Sequence, residues 1–116
     1  MIVHIVEDDL AVSDSLSEFL NAIGHDVEIY NDGGSFLANA NVDDTDTVII
    51  DLALPDMKGR EILRWLQSAH PRVRTIVVSG QSKTAIARAL ADVEVGVVMR
   101  KPLSVDLLAN TIAQHT

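Results

Sequence analysis

The chain contains no cysteine, which excludes disulfides and thiolate metal sites and permits a reducing compartment. Aromatic residues make up only 3% of its 116 residues, so it offers few platforms for stacked bases and any core must be aliphatic. Basic residues are scarce too, with 9 Lys and Arg against 17 Asp and Glu, for a net charge of −8. Without a basic stripe to neutralise phosphates, no direct nucleic-acid contact by this chain is expected. A cation is the ion such a chain attracts. No apolar run approaches membrane-spanning length, and the first one, Ile2 to Val6, meets acid at Glu7, unlike a signal peptide. The expected address is the cytosol, with no membrane contact. Repeats, low-complexity tracts and linkers are absent, and the length suits one domain over residues 1–116.

What is present is 47% hydrophobic residues, gathered largely into short runs that alternate with segments of helical periodicity. Strand one is Ile2 to Val6. Asp9 caps a helix whose Val12, Leu16, Phe19, Leu20 and Ile23 share one face before Gly24 ends it. Strand two, Val27 to Tyr30, is short and more polar, as an edge strand is. A short helix after Asp32 carries Phe36 and Leu37, and the polar loop Asn41 to Asp46 leads to strand three, Val48 to Ile50, which stops at Asp51. Helix three runs from Gly59 to Ala69, with Ile62, Leu63, Leu66 and Trp65 inward, and His70-Pro71 stops it. Thr75 to Ser79 is strand four, Lys83 to Asp92 helix four with Ile86 and Leu90 on one face, and Gly96 to Met99 strand five. Ser104 caps a last helix with Val105, Leu108 and Ile112. This alternation predicts an α/β domain, a doubly wound parallel sheet of five strands in the order 2-1-3-4-5 with five helices on its two faces.

That strand order makes strands one and three neighbours, so Glu7, Asp8 and Asp51 meet at the carboxyl edge where such sheets place ligands. Alone, Asp51 reads as a loop cap bonded to backbone N–H groups. In company the three carboxylates crowd one pocket, and like charges that close call for a cation. Mg²⁺, a hard ion that takes oxygen ligands, suits them. Ser79 and Lys101, at the ends of strands four and five, bring a hydroxyl and an ammonium to the same edge. Together with the cation they would surround the oxygens of a phosphoryl group carried on Asp51 as nucleophile. Asp9 is assigned to capping, the acidic loop Asp43, Asp44 and Asp46 to a solvated loop without EF-hand spacing, and His4, His25, His70 and His115 to no site.

The segments HIVEDD (4 to 9), VIIDLALPDMKG (48 to 59), IVVSGQ (76 to 81) and MRKP (99 to 102) give the whole chain the look of a CheY-like receiver domain of a two-component response regulator, of the FixJ type. The resemblance implies that Asp51 accepts a phosphoryl group from a sensor histidine kinase or phosphotransfer protein, with Mg²⁺. It implies Asp8 as a direct metal ligand, Glu7 as one acting through a water, and the Ala53 backbone carbonyl beside Asp51. Ser79 and Lys101 would bind phosphoryl oxygens, and the Lys101-Pro102 peptide would be cis. The face of helix four, strand five and helix five would then control an output domain or downstream partner, and is where receiver domains form homodimers. The reading is a switch rather than a turnover enzyme.

Two places depart from the family, the first being Val93, Glu94 and Val95 before strand five, where it often has a small residue and Gly, and the second Val98. Val98 stands three residues before the lysine, where most receivers carry Tyr or Phe, and a valine cannot swing a ring between buried and exposed states. A phosphorylation-independent pseudo-receiver that only binds partners is therefore the alternative. A small Mg²⁺-dependent phosphohydrolase is disfavoured, since Ala53 occupies the place of its second acid, and dinucleotide binding lacks a GxGxxG after strand one.

Overall fold

A computed structural model describes Met1 to Gln114; His115, one of the histidines given no role, lies outside the described residues. The predicted alternation is present. In chain order the elements are β1 (Ile2–Val6), α1 (Leu10–Ala22), β2 (Asp26–Tyr30), α2 (Gly33–Asn39), β3 (Thr47–Asp51), α3 (Gly59–Ala69), β4 (Arg74–Ser79), α4 (Lys83–Ala89), β5 (Val97–Arg100) and α5 (Val105–Ala113). The strands form a single parallel sheet in the order β2-β1-β3-β4-β5.

Period-two alternation within buried strands sends side chains to two cores. Val3, Ile5, Ile49, Ile76 and Val78 face α1 and α5, meeting Leu16, Leu20, Leu108 and Ile112. Val6, Val48, Ile50 and Val77 face the other way, toward Phe36 of α2, Ile62, Leu63 and Leu66 of α3, and Ile86 of α4. β3 is buried at every residue because both faces are covered, which is why its sequence shows no polar face.

The helix starts follow the sequence. Asp9, Asp32, Ser82 and Ser104 each accept backbone N–H groups of the first turn of the helix that follows. Gly24, at φ +98°, ends α1 in the left-handed region that glycine enters without strain.

Several expectations need correction. α4 stops at Ala89, short of Asp92, with Leu90 as its C-cap; Asp92 is instead held by Arg60 and Arg64 of α3, which pins the turn to that helix. Ile23 is the C-cap of α1 and is exposed, as are the apolar Leu37 of α2 and Val105 of α5. The loop Asn41 to Asp46 is not wholly solvated. Asp46 is buried, its carboxylate accepting from the Ile2 N–H at 2.8 Å and the Asp43 N–H at 3.0 Å and lying 2.9 Å from His4 Nε2. Trp65 does pack as expected, edge-on to Phe36 with ring centroids 6.1 Å apart.

Candidate functional site

Parallel pairing brings four strand ends to one edge. Val6 pairs with Ile50, Asp51 with Val78, and Ser79 with Arg100, so Glu7, Asp51, Ser79 and Lys101 stand in adjacent rows. The Lys101–Pro102 peptide is cis. The Lys101 N–H donates to the Ser79 carbonyl at 2.9 Å, and the Leu52 N–H to the Val78 carbonyl at 3.2 Å, extending the ladder into the site.

The Lys101 ammonium donates to Asp51 Oδ2 at 2.8 Å and to Glu7 Oε1 at 2.9 Å. Asp51 Oδ1 accepts the Ala53 N–H at 2.9 Å. Glu7, Asp8 and Asp51 each place a carboxylate oxygen within 4.8 Å of the others; Glu7 and Asp51 are buried and Asp8 is exposed. Glu7 Oε2 is buried with no hydrogen-bond partner. The Ser79 side chain is buried at the same edge, its hydroxyl accepting the Gln81 N–H at 3.0 Å. Ala53 is exposed and forms a bridge with Lys58 that shapes the loop beside Asp51.

Electrostatics separate the two buried acids. Burial, reinforced by the Asp51 carboxylate, pushes Glu7 up to about 7 against the lowering pull of Lys101. Burial acts to raise Asp51 too, but Glu7, the Lys101 ammonium and the Ala53 N–H outweigh it and hold Asp51 below the usual carboxylate range. Of the two buried acids, Asp51 is thus the one that loses its proton first and Glu7 the one that retains it more readily.

Supporting residues escaped the sequence reading. Asn31 Nδ2 donates to the Glu7 carbonyl at 2.9 Å and fixes the end of β1. Asp56 accepts the Gly33 and Gly34 N–H groups at 2.9 and 2.8 Å, tying the loop after Asp51 to the start of α2. Gly59 lets α3 begin hard against β3: a Cβ there would lie 2.8 Å from the Asp51 carbonyl oxygen and 2.9 Å from Leu52 Cα. The glycine after a Pro-containing loop was the one available signal; Asn31 and Asp56 act across more than 20 positions and left none.

Residues 3–113 match the family model of the response regulator receiver domain. The chain belongs to that family. As a receiver domain of two-component signalling it is similar to the response regulator protein TodT of Pseudomonas putida, at 29% identity over 74% of this chain and 38% of TodT. It is similar also to the transcriptional regulatory protein FixJ of Rhizobium meliloti, at 34% identity over 73% of this chain and 42% of FixJ. It thus spans well under half of either relative. Its fold matches that of the BeF3-activated DrrB receiver domain with a TM-score of 0.88, at 22% identity over 98% of this chain and 95% of that one. Among the described residues no helix is long and apolar enough to cross a membrane.

Proposed function

We propose that this receiver domain is a phosphorylation-controlled switch of the FixJ type, with Asp51 as phosphoacceptor. The observation that carries the reading is the buried Asp51 held between Lys101 and the Ala53 N–H beside two further carboxylates. The donor set suits a hard divalent cation: oxygen ligands only, and one of them, Glu7 Oε2, buried without a partner. Glu7, Asp8, Asp51 and the Ala53 carbonyl would hold Mg²⁺, with Glu7 acting through a water. Bound there, the ion supplies positive charge against the phosphoryl oxygens.

The chain's own residues do the rest. An Asp51 oxygen attacks the phosphorus of a phosphohistidine on a sensor kinase or phosphotransfer protein; an O–P bond forms, the N–P bond breaks, and the imidazole leaves with its electron pair. Lys101 leaves Glu7 and Asp51 to pair with a phosphoryl oxygen, and Ser79 turns its hydroxyl to another. Hydrolysis of the acyl phosphate resets the domain, so it is a switch with self-catalysed chemistry and not a turnover enzyme.

Ser79 and Lys101 are joined through the backbone to the start of the segment leading to α4 and to the end of β5, which favours α4, β5 and α5 as the face that signals to an output domain or partner, or that pairs two copies. Val98 lies exposed on β5. With no ring to swing there, the signal passes through the loop after Ser79. The test is a comparison of amide chemical shifts with and without fluoroberyllate and Mg²⁺. Shifts at Gln81 to Ala89 and Val97 to Ala113 support the switch; shifts confined to the Asp51 pocket favour a pseudo-receiver, the reading that Val98 alone recommends.

A further inference from the structure

Two hydrogen bonds hold one residue of the loop after Ser79. The Gln81 N–H donates to Ser79 Oγ at 3.0 Å, and the Gln81 carbonyl accepts Arg100 Nε at 3.2 Å. The next residue, Ser82, is the N-cap of α4, its hydroxyl accepting the Ala85 N–H at 3.1 Å. A change at Gln81 is therefore felt at the start of α4. The strands beneath are fixed, because Ser79 pairs with Arg100 and the Lys101 N–H donates to the Ser79 carbonyl.

Arg100 stands where it can take over from the missing ring. Val98 pairs with Val77, whose side chain lies in the core with Ile86 of α4, and residues two apart on a strand share a face. Val98 and Arg100 thus both belong to the side of the sheet that carries α4, and both are exposed. Val98 has no polar atom to offer the loop; Arg100 does. Its bond to Gln81 is charge-assisted, and the planar guanidinium fixes the direction of the Nε–H as an ammonium cannot.

We propose that Arg100 is a positioning residue that latches the loop after Ser79 in its resting conformation through the Gln81 carbonyl. The latch rests on the switch reading, in which Ser79 turns its hydroxyl to a phosphoryl oxygen. That turn takes the acceptor from the Gln81 N–H and leaves Arg100 holding Gln81 back. A contact made in only one of two conformations biases the equilibrium toward it. Removing the Arg100 donor therefore raises the share of the switched conformation and tightens the binding of a ligand that selects it.

The test is titration of ¹⁵N-labelled wild type, Arg100→Met and Arg100→Lys with fluoroberyllate in the presence of Mg²⁺. Both variants are expected to bind it about threefold or more tightly than wild type, the ratio set by a hydrogen bond of ordinary net strength. Before ligand is added, the Gln81, Ser82 and Ala85 amides of both variants should lie displaced from wild type along the line toward its fluoroberyllate-bound positions. A merely structural role would displace them in unrelated directions. Lysine keeps the charge and loses the Nε–H, so wild-type affinity in Arg100→Lys would overturn the latch. Unchanged or weaker affinity in Arg100→Met, or displacement off that line, overturns it as well. In each of these cases the switch itself stands if wild type shows its own shifts at Gln81 to Ala89. If wild type shifts only around Asp51, or not at all, the switch reading falls and the latch falls with it.

Discussion

Lys101 Nζ lies 2.8 Å from Asp51 Oδ2, and the same ammonium reaches Glu7 Oε1 at 2.9 Å. One lysine thus pairs with both the proposed phosphoacceptor and a candidate metal ligand, and joins β5 to β1 and β3 across the site edge. Its own pKa is raised: burial alone would lower it, but Asp51 and Glu7 more than compensate. The contact makes Lys101 and a divalent cation competitors for the same oxygens, and the first predictions follow from that competition.

Removing the competitor strengthens metal binding while weakening chemistry. Lys101→Met is expected to bind Mg²⁺ more tightly than wild type in isothermal titration calorimetry, yet to take up a phosphoryl group about a hundredfold more slowly, the loss typical of one missing oxyanion donor. Weaker Mg²⁺ binding in the variant would show that the lysine organises the ligands instead of competing for them.

Mg²⁺ should raise the melting temperature of the wild-type domain. At a concentration tenfold above its dissociation constant the gain is about 1.4 kcal/mol, the mass-action value for a ligand of the folded state. In Asp51→Asn, with one carboxylate neutralised, the gain should fall to less than half. Equal shifts in the two proteins would place the cation away from Asp51.

Gly59→Ala tests how closely α3 abuts the site. Its Cβ would stand 2.8 Å from the Asp51 carbonyl oxygen, a backbone atom that cannot move alone. Overpacking of this kind costs about 1–3 kcal/mol, measurable by urea unfolding. A neutral substitution would mean that α3 shifts freely relative to β3.

The buried Asp46 contributes a pH-dependent part of stability far from the site. Burial would raise its pKa, but the Ile2 N–H, His4 and the Asp43 N–H outweigh burial and hold it below the ordinary value. With Asp46 ionised, His4 Nε2 is the donor between them, and Nδ1 is left buried without a hydrogen-bond partner. A depressed carboxylate stabilises fully above its unfolded pKa of about 3.9, and that contribution is lost as pH falls through the lower folded value. Asp46→Asn should therefore cost about 1–3 kcal/mol at pH 7 and much less near pH 2, read from denaturant midpoints. A constant difference at both pH values would contradict the pairing.

The Asp46 result also marks where sequence reading stops. β3 and the carboxylates at the strand ends were legible because an all-apolar run ending in Asp51 has one economical placement, a central parallel strand with its carboxyl end at a site edge. The helix caps were equally local. His4 and Asp46, by contrast, meet across 42 positions, and a histidine inside an apolar strand and an aspartate in an acidic loop each look ordinary alone. Lys101 was expected to reach the site, but nothing in the sequence says that it bridges Glu7 and Asp51. The end of α4 was missed because the turn after Leu90 is fixed by Arg60 and Arg64 on another helix, not by a local stop signal.

Phosphoryl transfer to Asp51 is tested most directly by intact mass, after incubating wild type and Asp51→Asn with acetyl phosphate in the presence and absence of Mg²⁺. The predicted result is one added phosphoryl group on wild type with Mg²⁺, and none on the variant or without the ion. A folded wild-type domain that gains no mass under any condition, or an Asp51→Asn variant that gains as much as wild type, would contradict Asp51 as the phosphoacceptor.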